Sequence, residues 1–480
     1  DISVNTKDLR IIFNNGDAIT GENVVAEDNW SMTKTFSVEN KSNSTYKYNI
    51  VIKDLINTFK TTGYLQYKIT STDGGYNMTS FEDVPKRSTT TDTVLAYSVS
   101  IDEGATQNYT ITIQYPNDAN IDQSDDMGTT LSGKLYISEG TPMPTLAEVM
   151  LRDNPTISER TDFSVTNTVN TTGTIYKTNK TEDGSDVYYY SGNTTNNWVK
   201  FGGFYWRIIR TNEDGSVRLL YSGNSHDTIE GYIGKTQFNE NSEDPMYVGY
   251  MYGTSGSLAN NRTNTNDSTV KTAVDTWYEN NLLANYDKYI SKTAIYCNDR
   301  STQNNSYSTS SRFSYGASTR LDTNKTPTYK CGGDGNGGLF ESTQAIADKF
   351  SASTTGGGNG QLKYPIALMT SDELYFAGGV YRTELSNPYA WYYTNSKGES
   401  IIGKFWWWSL SPDVWSGFNA FVWVSIGSED GPGSLSRCLN GVLNYGWVRP
   451  TLSLSSCVDI KSGNGTPESP YEVDYENSCN

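Results

Sequence analysis

The chain has 480 residues, more than one hydrophobic core usually serves, so at least two domains are expected. Only 35% of residues are hydrophobic, yet 35 Tyr and 11 Trp supply amphipathic rings suited to half-buried sheet surfaces, which argues for a β-rich globular protein and against a disordered one. A net charge of −17, with no stretch that gathers Lys and Arg into a stripe, argues against nucleic acid as a partner, and no run approaches the ~20 apolar residues that span a bilayer.

The chain opens at Asp1 with neither Met nor a signal sequence, which reads as the start of a mature, processed or trimmed chain. Ile2, Val4 and Thr6 share one parity and Leu9, Ile11 and Phe13 the other, so residues 1–7 and the following stretch read as two separate strand segments. Period-two sets follow at Tyr46/Tyr48/Ile50/Ile52, Leu65/Tyr67/Ile69, Leu95/Tyr97/Val99/Ile101 and Tyr109/Ile111/Ile113/Tyr115, the pattern of an antiparallel β-sandwich. Pro142 and Pro144 stop that pattern, and Thr145 to Glu148 has capping-box spacing before a short helix, so a domain boundary is placed near Gly140, giving 1–140 and 141–480.

In the second domain, residues 197 to 223 read as a β-hairpin turning at Asp214-Gly215. Asp267/Ser268 caps a helix with Val270, Val274, Trp277, Tyr278 and Leu282 on one face, and "SDELYFAGG" reads as another, ending at Gly378-Gly379. Residues 299 to 330 and 351 to 360, rich in Ser, Thr, Asn and Gly, read as long surface loops. The domain is α+β, with few helices and many short strands.

Five Cys and a single His, without C-x-x-C spacing, exclude zinc clusters. Cys297 and Cys331 flank a loop and Cys457 and Cys479 bracket the C-terminal tail, which allows two loop-closing disulfides in an oxidising compartment; the alternative is five reduced, buried thiols. Cys438 is the odd one out.

Six of the eleven Trp fall in residues 405 to 454, and "NNWVKFGGFYWRIIR", "DTWYENNL", "YPIALMTSDELYFAGG", "WWWSLSP" and "YGWVRPTLSL" follow one another in that order. This ordered set, covering roughly residues 145–473, resembles the C-type-lectin-fold variable proteins diversified by diversity-generating retroelements in bacteria. The resemblance implies a variable region near 406–450, in which adenines of Asn codons are copied with errors and the resulting side chains form a ligand-binding face. Randomised AAC or AAT codons cannot give Trp, Met, Lys, Gln or Glu; between Asp413 and Asn444 only Trp415, Trp423 and Glu429 fall outside the accessible set. The implied face comprises Asp413, Val414, Ser416, Phe418, Asn419, Phe421, Ser425, Gly427, Ser428, Leu435, Arg437, Cys438, Leu439, Gly441 and Leu443, which mix small, bulky, charged and thiol groups without period. Trp406, Trp407, Trp408, Trp423, Trp447 and Arg449 form the implied scaffold. The aromatic Trp447, between a Gly and a Val that are adjacent in most of the family, departs from its pattern. By residue patterning alone the segment reads instead as an ordinary β-rich core whose Gly417, Gly427, Gly431 and Gly433 sit in turns.

"DLRIIFNNGDAI", "TKTFSVENKSNSTYKYNIVIKDLINTF" and "SGKLYISEG" resemble the secreted TasA and camelysin biofilm-fibre subunits, which implies a jelly-roll-like β-sandwich over residues 1–140. It also implies that a terminal strand carrying Ile2 and Val4 completes the sheet of a neighbouring copy, building filaments by main-chain hydrogen bonds. The alternatives are pairing within its own sandwich, or fraying.

No catalytic constellation is expected, because a Ser/His/Asp or Cys/His site would have to use His226, in what reads as a polar turn. No cofactor is expected either; Asp122/Asp125/Asp126 and Glu429/Asp430 gather oxygens that suit structural calcium but lack the spacing of a defined loop. The sequence is thus read as a secreted, surface-displayed bacterial protein binding an unidentified protein or glycan without catalysis. Its rivals are a matrix fibre with a fixed C-terminal spacer and a carbohydrate-binding module with a fixed aromatic platform.

Overall fold

The computed structural model describes residues 2–6, 9–16, 29–168, 170–303, 306–331, 348–353, 358–385, 390–426, 431–436 and 441–479. The chain divides into two compact units, Asp1–Pro144 with Lys461–Asn464, and Thr145–Ile460 with Gly465–Asn480. It is β-rich, with several antiparallel sheets and, among the described residues, no barrel.

In the first unit, a six-stranded antiparallel sheet runs Ile2–Thr6, Leu9–Asn14, Trp30–Asn40, Thr106–Tyr115, Gln66–Ser71, Glu82–Asp83, and a three-stranded one runs Arg87–Ile101, Tyr46–Asn57, Leu131–Glu139. Alternation makes these strands: Phe36 and Val38 are buried, Ser37 between them is half-buried, and Thr33 and Thr35, of the same parity as Ser37, are exposed. Phe36, Ile69, Ile111 and Ile113 from the larger sheet and Tyr48, Ile50, Leu55 and Leu135 from the smaller share one core. The strand Tyr46–Asn57 breaks the expected alternation, burying Ile50, Val51 and Ile52 in succession. Its register shifts at Tyr48/Ile50 and Ile50/Val51, and a bulge reverses which face a side chain meets. The first strand pairs with the second within the chain, Ile2 opposite Phe13 and Val4 opposite Ile11, at the edge of its sheet.

The second unit begins with the helix Leu146–Asp153. Thr145 and Glu148 close a reciprocal capping box, the Thr145 N–H donating to Glu148 Oε2 at 2.8 Å. A large sheet follows the path Thr156–Ser158, Thr174–Thr178, Val187–Tyr189, Phe204–Thr211, Trp198–Phe201, Tyr471–Val473. Branching from it, Val217–Tyr221 joins Phe204–Thr211 to Pro450–Leu454, which in turn pairs with Ile366–Leu368. Residues 197 to 223 hold three strands rather than the expected two, because Gly202 and Gly203, at φ 63° and 84°, make a further tight turn between Phe201 and Phe204. The second sheet orders Gly234–Thr236, Gly446–Val448, Trp406–Trp415, Ala420–Ile426, Leu435–Ser436, with Phe313–Ser314 on the other end of Trp406–Trp415.

The helices form where periodicity and caps place them. Thr269–Asn281 is capped by Ser268 and buries Val270, Val274 and Tyr278, while Ser371–Ala377, capped by Thr370, is buried along its whole length. Residues 299 to 330 differ from the expected surface loop. Arg300 and Arg320 are almost wholly buried there, with Phe313, Tyr315 and Ala317. Ser- and Thr-rich sequence hides the reason, which is charge pairing: Arg300 meets Asp348 at 2.7 Å, and Arg320 meets Asp299 at 2.9 Å and Asp372 at 2.7 Å. Disulfides join Cys297 to Cys331 and Cys457 to Cys479; Cys438 lies outside the described residues. No helix among the described residues is long and apolar enough to cross a membrane.

Candidate functional site: an exposed ridge on a tryptophan frame

The strand Trp406–Trp415 alternates between the two sides of its sheet, and both sides are packed. Trp407, Trp408, Trp415 and Trp423 have no appreciable exposure. The Trp407 ring carries the Arg449 guanidinium at 4.6 Å, and Arg449 donates to the carbonyls of Tyr221, Gly231 and Tyr392. Burial pulls the Arg449 guanidinium down in pKa, so these carbonyl acceptors and the ring face hold a charge that has lost its water. Trp408 Nε1 donates to the Thr236 carbonyl at 2.9 Å, and its ring meets Trp406 edge-on at 4.6 Å. Gly446 is required beneath them, since a Cβ there would stand 2.2 Å from the Trp406 ring. Trp406 and Trp447 are half-buried, and Trp447 stacks on Tyr232 at 3.7 Å between centroids.

On this frame the hairpin tip at 416–419 projects outward. The Asn419 N–H donates to Ser416 Oγ at 2.9 Å and the Ser416 N–H to the Asn419 carbonyl at 3.0 Å, with Gly417 at φ 100°. This closed turn leaves the Phe418 ring 71% exposed. The segment 441–445 is tied beside it. Val442 N–H donates to the Ala420 carbonyl at 3.1 Å, Gly441 bridges Phe421, and the Phe238 N–H donates back to the Val442 carbonyl at 3.0 Å. Ser242 Oγ holds Asn419 Oδ1 at 2.9 Å, and Gln237 Nε2 holds the Leu443 carbonyl at 2.8 Å. Leu443 and Tyr445 are exposed, as is Phe405, whose ring meets Trp447 edge-on at 6.1 Å and lies 4.6 Å from Lys235 Nζ. The result is an apolar ridge on hydrogen-bonded strands, set among polar side chains: geometry that suits contact with another molecule.

The structure therefore brings Phe418, Asn419, Phe421, Gly441 and Leu443 together, with Ser416 half-buried behind the tip. Four other residues of the expected face point inward. Val414 and Leu435 are core, Ser425 is fully buried, and Asp413 spends its carboxylate on Ser318 Oγ at 2.7 Å. Strands packed on both sides leave no outward parity for them, so they do not belong to the accessible face. Gly427, Ser428, Arg437, Cys438 and Leu439 lie outside the described residues. Sequence reasoning missed Tyr445, Phe405, Lys235 and Tyr232. Tyr445 carried a signal, because it shares parity with Leu443 and Trp447.

The remaining candidates are placed as follows. His226 Nδ1 lies 2.7 Å from Ser396 Oγ between Trp198 and Tyr205. Asp126 accepts the Thr61 N–H at 3.1 Å and the Tyr115 hydroxyl at 2.6 Å, so its oxygens serve a turn. Among the described residues no group of three or more His, Cys, Asp or Glu is placed to hold a metal. Compared with family models, with characterised proteins and with solved structures, the chain finds no match.

Proposed function

We propose that this chain is an extracellular, surface-displayed binding protein whose second unit takes a protein or glycan ligand, without catalysis, on the ridge formed by Phe418, Asn419, Phe421, Gly441, Leu443 and Tyr445. The observation that carries the reading is the division of labour within one segment. The indoles of Trp407, Trp408 and Trp423 are sealed in the core, whereas the side chains between them that reach solvent are bulky, mixed in type and held on closed turns. Rigid support with chemically diverse projections is what a paratope requires. The motif order resembling C-type-lectin-fold variable proteins supports a ridge diversified by a retroelement, and the two disulfides accord with a secreted protein. Deep sequencing of this gene and its flanking DNA across a population of the source bacterium tests it. Adenine-derived substitutions concentrated at ridge codons, with a near-copy template alongside, are expected; an invariant segment without a template refutes diversification.

A second reading concerns the first unit. The strand Ile2–Thr6 lies at a sheet edge and, among the described residues, pairs on one side only. An open edge accepts a strand from another copy, which supports the fibre-subunit resemblance. Negative-stain imaging after deletion of residues 1–7 tests it, because filaments that persist would rule out donation by this strand.

A further inference from the structure

The ridge ends against Tyr232, Lys235 and Phe405, which come from outside residues 406–450, and the scaffold residue Trp447. Lys235 lies opposite Trp447 where Gly234–Thr236 pairs with Gly446–Val448, and the exposed Tyr445 stands two residues before Trp447, so the group continues the ridge along the chain. Lys235 Nζ is 4.6 Å from the centre of the Phe405 ring and 5.5 Å from that of Trp447. Its side chain is exposed, and among the described residues no carboxylate pairs with it. The rings hold the ammonium in place without neutralising it.

The surrounding charges leave this ammonium in excess. Lys404 precedes Phe405 and is exposed, and Glu230 lies close enough to act on the Tyr232 hydroxyl. At the other end of the ridge, Glu243 accepts the Ser242 N–H at 3.0 Å with Glu240 nearby, and Arg312 runs beside Gly417. A chain of net charge −17 therefore carries an unmatched positive charge at one end of an exposed apolar ridge, and a complementary surface has to be acidic there.

Shape separates a protein from a sugar as the source of that acid. Phe418, Leu443 and Tyr445 project, which suits a groove on a folded partner, and Phe418 and Leu443 offer sugar hydroxyls no hydrogen bond. A sugar ring would stack flat on an indole, but Tyr232 already stacks on Trp447 at 3.7 Å. Resting on the reading of the ridge as a binding surface, we propose that its partner is a folded protein whose apolar groove takes Phe418, Leu443 and Tyr445 and whose Asp or Glu side chain, beside that groove, meets Lys235. Because Lys235 and Phe405 lie outside the diversified segment, this acidic requirement persists whatever side chains stand at 418 and 443.

The probe is a phage library of a small folded scaffold with a randomised concave face, selected on the immobilised full chain, with an array of neutral, sialylated and uronate-bearing glycans in parallel. Selected binders are expected to weaken against Phe418→Ala and to carry a carboxylate coupled to Lys235. Lys235→Met, which keeps the stem on the rings and removes the charge, should weaken them about fivefold and flatten their salt dependence at an unchanged melting temperature. Lys235→Arg should restore binding. Changing the binder's carboxylate to its amide should cost nothing more against Lys235→Met. Binders that need Phe418 but neither Lys235 nor a carboxylate overturn the proposal and leave the ridge standing. Binders indifferent to Phe418, or no binder at all, remove the ridge and the proposal with it. Acidic glycans retained through Lys235 in place of protein binders overturn the choice of partner.

Discussion

Replacing Phe418 and Trp407 by Ala, separately, distinguishes a ridge from a core. Phe418 is 71% exposed, so a little under a third of a ring surface of roughly 200 Å² is covered; at about 25 cal/mol per Å² its packing contributes at most ~1.5 kcal/mol. Trp407 is fully buried, stacked under Arg449 and edge-on to Tyr392 at 6.2 Å, and truncating such a ring costs about 3–5 kcal/mol. For a unit of this size, ~2 °C in melting temperature per kcal/mol is the expected scale, so Phe418→Ala should lower the transition of the second unit by ~3 °C or less and Trp407→Ala by at least twice that. Calorimetry on the intact chain reads both. With a ligand in hand, Phe418→Ala should weaken binding while the fold survives, as truncating an aromatic anchor does. Equal losses of stability in the two variants would show that Phe418 belongs to the core and would remove the ridge.

Gly446→Ala should destabilise by about 1–3 kcal/mol, because the new methyl meets the Trp406 ring at 2.2 Å, whereas Gly441→Ala, with its nearest neighbour at 3.6 Å, should be tolerated; paired urea titrations check the contrast. Acid should melt the second unit. Burial opposes ionisation of Glu373, but Arg218 and Arg210 overcome it and hold its carboxyl below the usual range, and Arg300 does the same for Asp348. Depressed carboxyls stabilise fully above the unfolded value of about 4 and lose that contribution as pH falls through the folded values, so melting temperature should drop steeply below pH ~4. Asp299, raised by burial, works in the opposite sense, its contribution being lost as pH rises through its folded value, so the profile should not be flat above that range either. Preventing the Cys457–Cys479 bond with paired Ser substitutions reopens a loop of sequence separation 22 and should cost ~3 kcal/mol, read as a lower urea midpoint.

Local rules carried the strands and helices of this chain well. Tyr109, Ile111, Ile113 and Tyr115 are all buried as their alternation requires, and both Thr145 and Thr370 cap helices through boxes whose spacing is plain in the residues. Where local rules failed, a distant partner had decided the matter. Arg300 and Arg320 sit in a Ser- and Thr-rich stretch that reads as solvent-facing, and Asp348 and Asp372, far along the chain, join Asp299 in pairing their buried guanidiniums. The candidate face failed in the same way: Asp413 looks like a surface charge until Ser318 is found against it.

The same distinction explains why the ridge was half legible. Between 413 and 444 the residues alone give no period, because the segment obeys two rules at once. Positions with inward side chains are fixed by distant partners, Trp423 against Tyr381 and Asp413 against Ser318, while the turns at 416–419 and 441–445 are closed by main-chain hydrogen bonds and the Ser416 hydroxyl, which make no demand on the side chains of 418, 443 and 445. A turn closed through Ser416 and Asn419 tolerates Phe, Tyr or Arg at position 418 equally well, since that side chain meets water. Freedom of side chain on a fixed backbone is the physical condition for a surface that can change its ligand without changing its fold, and it is met at 418, 443 and 445 but not at 413, 414, 425 or 435.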